Sequence, residues 1–100
     1  MLLERRTVSR KTPGDGRLEI TKRAAGRLRD LGLAFDVDLG GERTAASLAT
    51  MTCTCRGEEK PHEHYFLEST AFKRLTPGAE VELELEASTG VVRVRPAPAQ

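Results

Sequence analysis

The chain has 100 residues and a formal net charge of +1, the size of a single domain whose core is adequate but not generous. Its four aromatics are Phe35, Phe66, Phe72 and Tyr65, with no Trp, so the core must rest on Leu, Val and Ala. No segment approaches the run of roughly 20 apolar residues that a membrane helix needs, and Met1-Leu2-Leu3-Glu4-Arg5-Arg6 lacks the apolar stretch of a secretory leader; the expected setting is the cytoplasm, with no membrane partner.

Taken in chain order, residues 1–16 are polar and basic and end in the turn signal Pro13-Gly14-Asp15-Gly16, which predicts a flexible basic arm. Up to Asp30 the bases Arg5, Arg6, Arg10, Lys11, Arg17, Lys22, Arg23, Arg27 and Arg29 face only Glu4, Asp15, Glu19 and Asp30. Such asymmetry marks either a solvated surface or a nucleic-acid contact. Arg5, Arg6, Arg10, Lys11, Lys22, Arg23, Arg27 and Arg29 are the candidate phosphate-binding residues.

Residues 17–95 then state one pattern twice. Leu18-Glu19-Ile20 reads as a strand, and Thr21 caps a helix whose Ala24, Ala25, Leu28 and Leu31 share one face before Gly32 stops it. Phe35, Val37 and Leu39 alternate with Asp36 and Asp38, and Gly40-Gly41 turns the chain. The second unit repeats this with Leu67-Glu68, a Ser69 or Thr70 cap, a short helix burying Phe72 and Leu75, a stop at Pro77-Gly78, and alternating Val81, Leu83 and Leu85. Val92 and Val94 finish the unit, with Arg93 and Arg95 set opposite the outer acids Glu80, Glu82, Glu84 and Glu86. The expected fold is mainly β with two short helices (α+β): a small pseudo-twofold β-barrel of two strand-helix-strand-strand repeats, about 17–48 and about 67–95, joined by a zinc-binding hairpin at 49–66 and followed by a tail at 96–100.

Between the repeats lies CxC–x6–HxH: Cys53, Cys55, His62 and His64 are the only cysteines and histidines of the chain. On strands, residues two apart share a face. A hairpin pairing Cys55 with His62, Cys53 with His64 and Met51 with Phe66 would gather two thiolates and two imidazoles, a tetrahedral set suited to structural Zn²⁺. In a small domain such an ion contributes about 10 kcal/mol or more, comparable to a whole net stability of about 5–15 kcal/mol. Thiolate ligands also agree with a reducing compartment.

In element order and in its Thr-helix-Gly-strand signature over residues 17–95, the chain resembles the cradle-loop barrels. These include the swapped-hairpin transcription factors, the double-psi barrels and the pseudobarrel DNA-binding domains of plant regulators and some restriction endonucleases. The resemblance implies a barrel with a nucleic-acid partner; the metal motif is no part of those families' usual pattern. Separately, His62-x-His64-x3-Glu68 is similar to the first motif of the cupins, yet no later histidine completes their ligand set and the expected glycine arrives late, at Gly78. The sequence supports no catalytic residue. It reads as a zinc-stabilised small binding module with nucleic acid as the leading partner; the alternatives are a cupin-like metalloenzyme, a metal or redox sensor, and an adaptor binding another protein.

Overall fold

A computed structural model describes residues 2–30, 32, 34–53, 62–86 and 88–97, Cys53 by its backbone alone. The elements are β1 (Leu2–Thr7), α1 (Thr12–Asp15), β2 (Arg17–Ile20), α2 (Lys22–Arg29), β3 (Ala34–Leu39), β4 (Glu42–Cys53), β5 (His62–Glu68), a 3₁₀ helix (Thr70–Arg74), β6 (Glu80–Glu86) and β7 (Val91–Pro96).

Local chemistry accounts for most of these. The Thr21 side chain accepts from the backbone N–H of Ala24 at 3.2 Å, satisfying a donor that the first turn of α2 leaves over. That helix buries Ala24, Ala25 and Leu28 and leaves its bases outside. Ser69 does the same for Ala71, but the turn it starts is 3₁₀ and buries Ala71 and Phe72. In β6 the alternation is kept along the strand, with Val81, Leu83 and Leu85 buried, and in β7 Val92 and Val94 follow it while Val91 at the strand start is buried as well. On the other face Glu84 lies opposite Arg93 and Glu82 opposite Arg95, with ion pairs from Arg93 to Glu86 at 2.6 Å and from Arg95 to Glu84.

The strands form one seven-stranded sheet in the order β1-β6-β7-β3-β4-β5-β2. Every adjacent pair is antiparallel except β3 and β7, which run parallel. The two ends of this order meet, because Glu4 of β1 accepts from the backbone N–H of Thr21 at 3.2 Å, immediately after β2. The sheet therefore curls into a nearly closed barrel around Leu18, Leu28, Val37, Leu67, Phe72, Leu83 and Val92. Strand-helix-strand-strand order occurs twice, β2-α2-β3-β4 and then β5-3₁₀-β6-β7.

Two expectations are corrected. Residues 1–16 are not an arm: Leu2–Thr7 pairs with β6, Val8 is buried and bonded to Ala79 and Gly78, and α1 follows. Without β1 the outer edge of β6 would expose a row of unpaired N–H and C=O groups. The β4–β5 register also differs by two residues, with Cys53 opposite His62, Met51 opposite His64 and Ala49 opposite Phe66. A slip of two keeps every side chain on its expected face, but it moves Met51, not Cys53, beside His64.

Candidate functional site

Because cross-strand partners share a face, β2, β5 and β4 present one outer surface. Arg17 and Glu19 stand on it from β2, His62, His64 and Phe66 from β5, and Met51 from β4, while Leu18, Ile20, Tyr65 and Leu67 point inward and are buried. Phe66 pairs with Glu19, and this places the Glu19 carboxylate diagonally next to His64.

The two imidazoles converge. Nε2 of His62 lies 3.0 Å from Nε2 of His64, with the rings close to edge-on at a centroid distance of 4.7 Å. The other nitrogen of His64, Nδ1, lies 2.8 Å from Oε2 of Glu19. A carboxylate only accepts, so Nδ1–H of His64 donates to Glu19; in the neutral His64 imidazole Nε2 is then the acceptor, and Nε2–H of His62 donates to it. Cys53 occupies the register position opposite His62, whereas Cys55 lies outside the described residues. Among the described residues, no group of three or more His, Cys, Asp or Glu is gathered to hold an ion. Glu68, the carboxylate of the cupin-like motif, faces Arg17 at 3.6 Å.

Two hollows flank this cluster and share Glu19 and His64. One, of about 650 Å³, is lined by Arg6, Thr21, Lys22, His62, Glu63 and Tyr65 as well. The other, of about 710 Å³, is a groove between the Ser9–Lys11 turn and the ends of β4 and β5. Arg10, Lys11 and Arg17 supply its positive charge, Asp15 adds a second acid beside Glu19, and Met51 and Phe66 provide apolar lining. Met51 is 47% exposed there, and its sulfur accepts from the Arg17 guanidinium at 3.2 Å.

Beside the first hollow, the Tyr65 hydroxyl donates to Oε2 of Glu63 at 2.7 Å. That bond raises the phenol above its ordinary range, burial and the Glu63 charge add to the rise, and Arg29 opposes it. The Arg29 guanidinium lies 5.8 Å from the centre of the Tyr65 ring, a cation–π placement worth about 0.5–1 kcal/mol.

The structure divides the eight bases expected to contact phosphate. Arg10 and Lys11 line the groove, and Arg6 and Lys22 line the hollow beside it. Arg23, Arg27 and Arg29 lie on the exposed side of α2. Arg5 stands apart on β1, its guanidinium 3.4 Å from Glu82 and 4.0 Å from Glu80, and Arg6 lies 3.5 Å from Glu4. Arg17 and Glu19 are additions that sequence reasoning did not nominate. Nothing local marks them: within Leu18-Glu19-Ile20 an outward acid is ordinary, and the tie to His64 spans 45 residues.

No protein-family model matches the chain, and no curated protein sequence matches it. Among solved structures the chain is similar to a chain of the Arabidopsis FUS3–DNA complex, with a TM-score of 0.66 and 14% identity over 98% of this chain and 100% of that one. The architecture-level resemblance to pseudobarrel DNA-binding domains, read from element order, thus holds for the fold. No helix among the described residues is long and apolar enough to cross a membrane.

Proposed function

We propose that the protein is a nucleic-acid-binding barrel whose ligand is duplex DNA, with a structural zinc holding its β4–β5 hairpin. The observation that carries this reading is the groove of Arg10, Lys11 and Arg17, which lies on a barrel similar in fold to a chain solved with DNA. Lys and Arg side chains along a groove neutralise phosphates and release counterions, and Lys22 with the exposed bases of α2 extends the positive surface.

For zinc the support is the convergence of the two Nε2 atoms and the placement of Cys53 opposite His62, with Cys55 as the expected fourth ligand. The two strand-helix-strand-strand units are then halves of a pseudo-twofold barrel, with Leu18 paired to Leu67 across the axis and the ion clasping them at their junction. Thiolate ligands and a DNA partner both fit a reducing, nucleic-acid-containing compartment such as the cytoplasm.

Fluorescence anisotropy with a labelled duplex tests the DNA reading. Binding at low salt should weaken with a log–log slope of about 0.9 per phosphate contact, hence about 3 from the groove bases; absence of binding at low salt would overturn it. Elemental analysis should find one zinc per chain, and strong chelation should lower the melting temperature. A metal-free protein with an unchanged melting curve removes the zinc and leaves the barrel.

A further inference from the structure

We propose that Glu19 is a positioning residue that couples a divalent cation on His62 and His64 to DNA affinity in the groove, so that the cation-loaded protein grips DNA more tightly. This rests on the nucleic-acid reading above. Three observations meet at Glu19. Its carboxylate accepts from Nδ1 of His64 at 2.8 Å, Nε2 of His64 lies 3.0 Å from Nε2 of His62, and Glu19 and His64 both line the groove that holds Arg10, Lys11 and Arg17.

The chemistry runs in one direction. With the hydrogen on Nδ1, the neutral His64 offers its Nε2 lone pair toward His62. A zinc-like ion about 2.0–2.1 Å from each nitrogen takes the place of the hydrogen shared by the two Nε2 atoms, the His62 hydrogen moving to its Nδ1 and the pair opening from 3.0 Å to about 3.3 Å. A histidine ligand whose second nitrogen donates to a carboxylate is held in the orientation that favours the metal. Without the ion, the Glu19 carboxylate is an acid inside a basic groove, and its charge opposes an entering phosphate. An ion on Nε2 places positive charge on the far side of the same imidazole, strengthens the Nδ1–H bond and draws the carboxylate toward His64. The groove bases then meet phosphate with less opposition. A coupling of this kind is typically 5- to 150-fold, and the half-exposed setting of Glu19 puts it near the lower end, about tenfold.

The test is anisotropy with a labelled duplex at fixed ionic strength, with one equivalent of Zn²⁺ or with chelator, alongside zinc affinity from competition with a chromophoric chelator. Wild type should bind DNA about tenfold more tightly with zinc. Glu19→Gln should bind zinc about 10–100-fold more weakly, bind DNA more tightly than wild type in chelator, and respond less than twofold to saturating zinc. Glu19→Asp, which keeps the charge on a shorter stem, should lose the zinc response and keep the weak affinity. Equal DNA affinity with and without zinc, while zinc is bound, overturns the coupling and leaves the DNA reading standing. A full zinc response in Glu19→Gln overturns the role of Glu19, and a wild type that takes up no zinc overturns the cation seat. If no form binds DNA, the nucleic-acid reading fails and the coupling with it; an undiminished zinc affinity in Glu19→Gln then overturns the positioning role as well.

Discussion

Glu4 and Thr21 close the barrel: a carboxylate from the first strand accepts from both the backbone N–H and the hydroxyl of the residue that caps α2. The Thr21 hydroxyl is used twice, donating to Glu4 and accepting from Ala24. The carboxylate also sits at the N-terminus of α2, where a negative charge is favoured. Side chains thus join the edges of β1 and β2, where no backbone ladder is formed between them.

Removing either partner should therefore cost more than an ordinary surface contact. Glu4→Ala and Thr21→Ala should each destabilise by about 1–2 kcal/mol. The double variant should fall short of their sum by about 1 kcal/mol, because both lose one shared network. Denaturant melts of the four proteins check this; strict additivity would mean that the pair does not act as a unit.

Gly16 should resist substitution more than any other turn residue of the barrel. Its φ is +68°, and an added Cβ would lie 3.0 Å from the carbonyl oxygen of Ser69. The close approach serves the fold, since Ser69 N–H donates to Gly16 O at 2.9 Å and extends the β2–β5 ladder. Gly16→Ala should cost about 2–3 kcal/mol, whereas Gly14→Ala, with open space around it, should stay within about 0.5 kcal/mol. Equal melting temperatures for the two variants would contradict this.

Tyr65 is the only tyrosine in the chain, so phenolate absorbance titrates it directly. Its midpoint should lie above 10.0, and Glu63→Gln, which weakens the acceptor and removes the adjacent charge, should bring it down. The neutral phenol is favoured in the folded state, so the unfolded chain releases its proton first. The contribution to stability is complete below pH 10 and fades as pH rises through the folded value. A midpoint at or below 10.0 would show that the bond to Glu63 is not kept in solution.

The bases should separate by location. Replacing Arg10 and Lys11 together with Ala should lower the salt slope of DNA binding by about 2 and weaken all sequences alike. Arg5→Ala should leave the slope unchanged, because that guanidinium already faces Glu80 and Glu82. Comparable losses from both variants would place the DNA elsewhere than in the groove.

Much of the barrel was legible in local pattern. The alternation of Val81, Leu83 and Leu85 against glutamates, the Thr21 cap and the Gly40-Gly41 turn each satisfy a short-range rule, and each is present. Leu2–Thr7 gave no comparable signal: its burial does not alternate cleanly. It is a strand because β6 needs an edge partner, a requirement that exists only once the sheet has formed.

The site divides in the same way. The shared face of His62 and His64 and the basic character of the N-terminal third follow from residue type and period-2 geometry, which any strand obeys. The register that sets Met51 beside His64, the parallel contact of β3 with β7, and the meeting of Glu19 with His64 were decided by the tertiary structure. Each depends on which distant edges are left to be paired as the barrel closes. A local pattern fixes the face a side chain takes, and only the folded sheet fixes the neighbour it meets there.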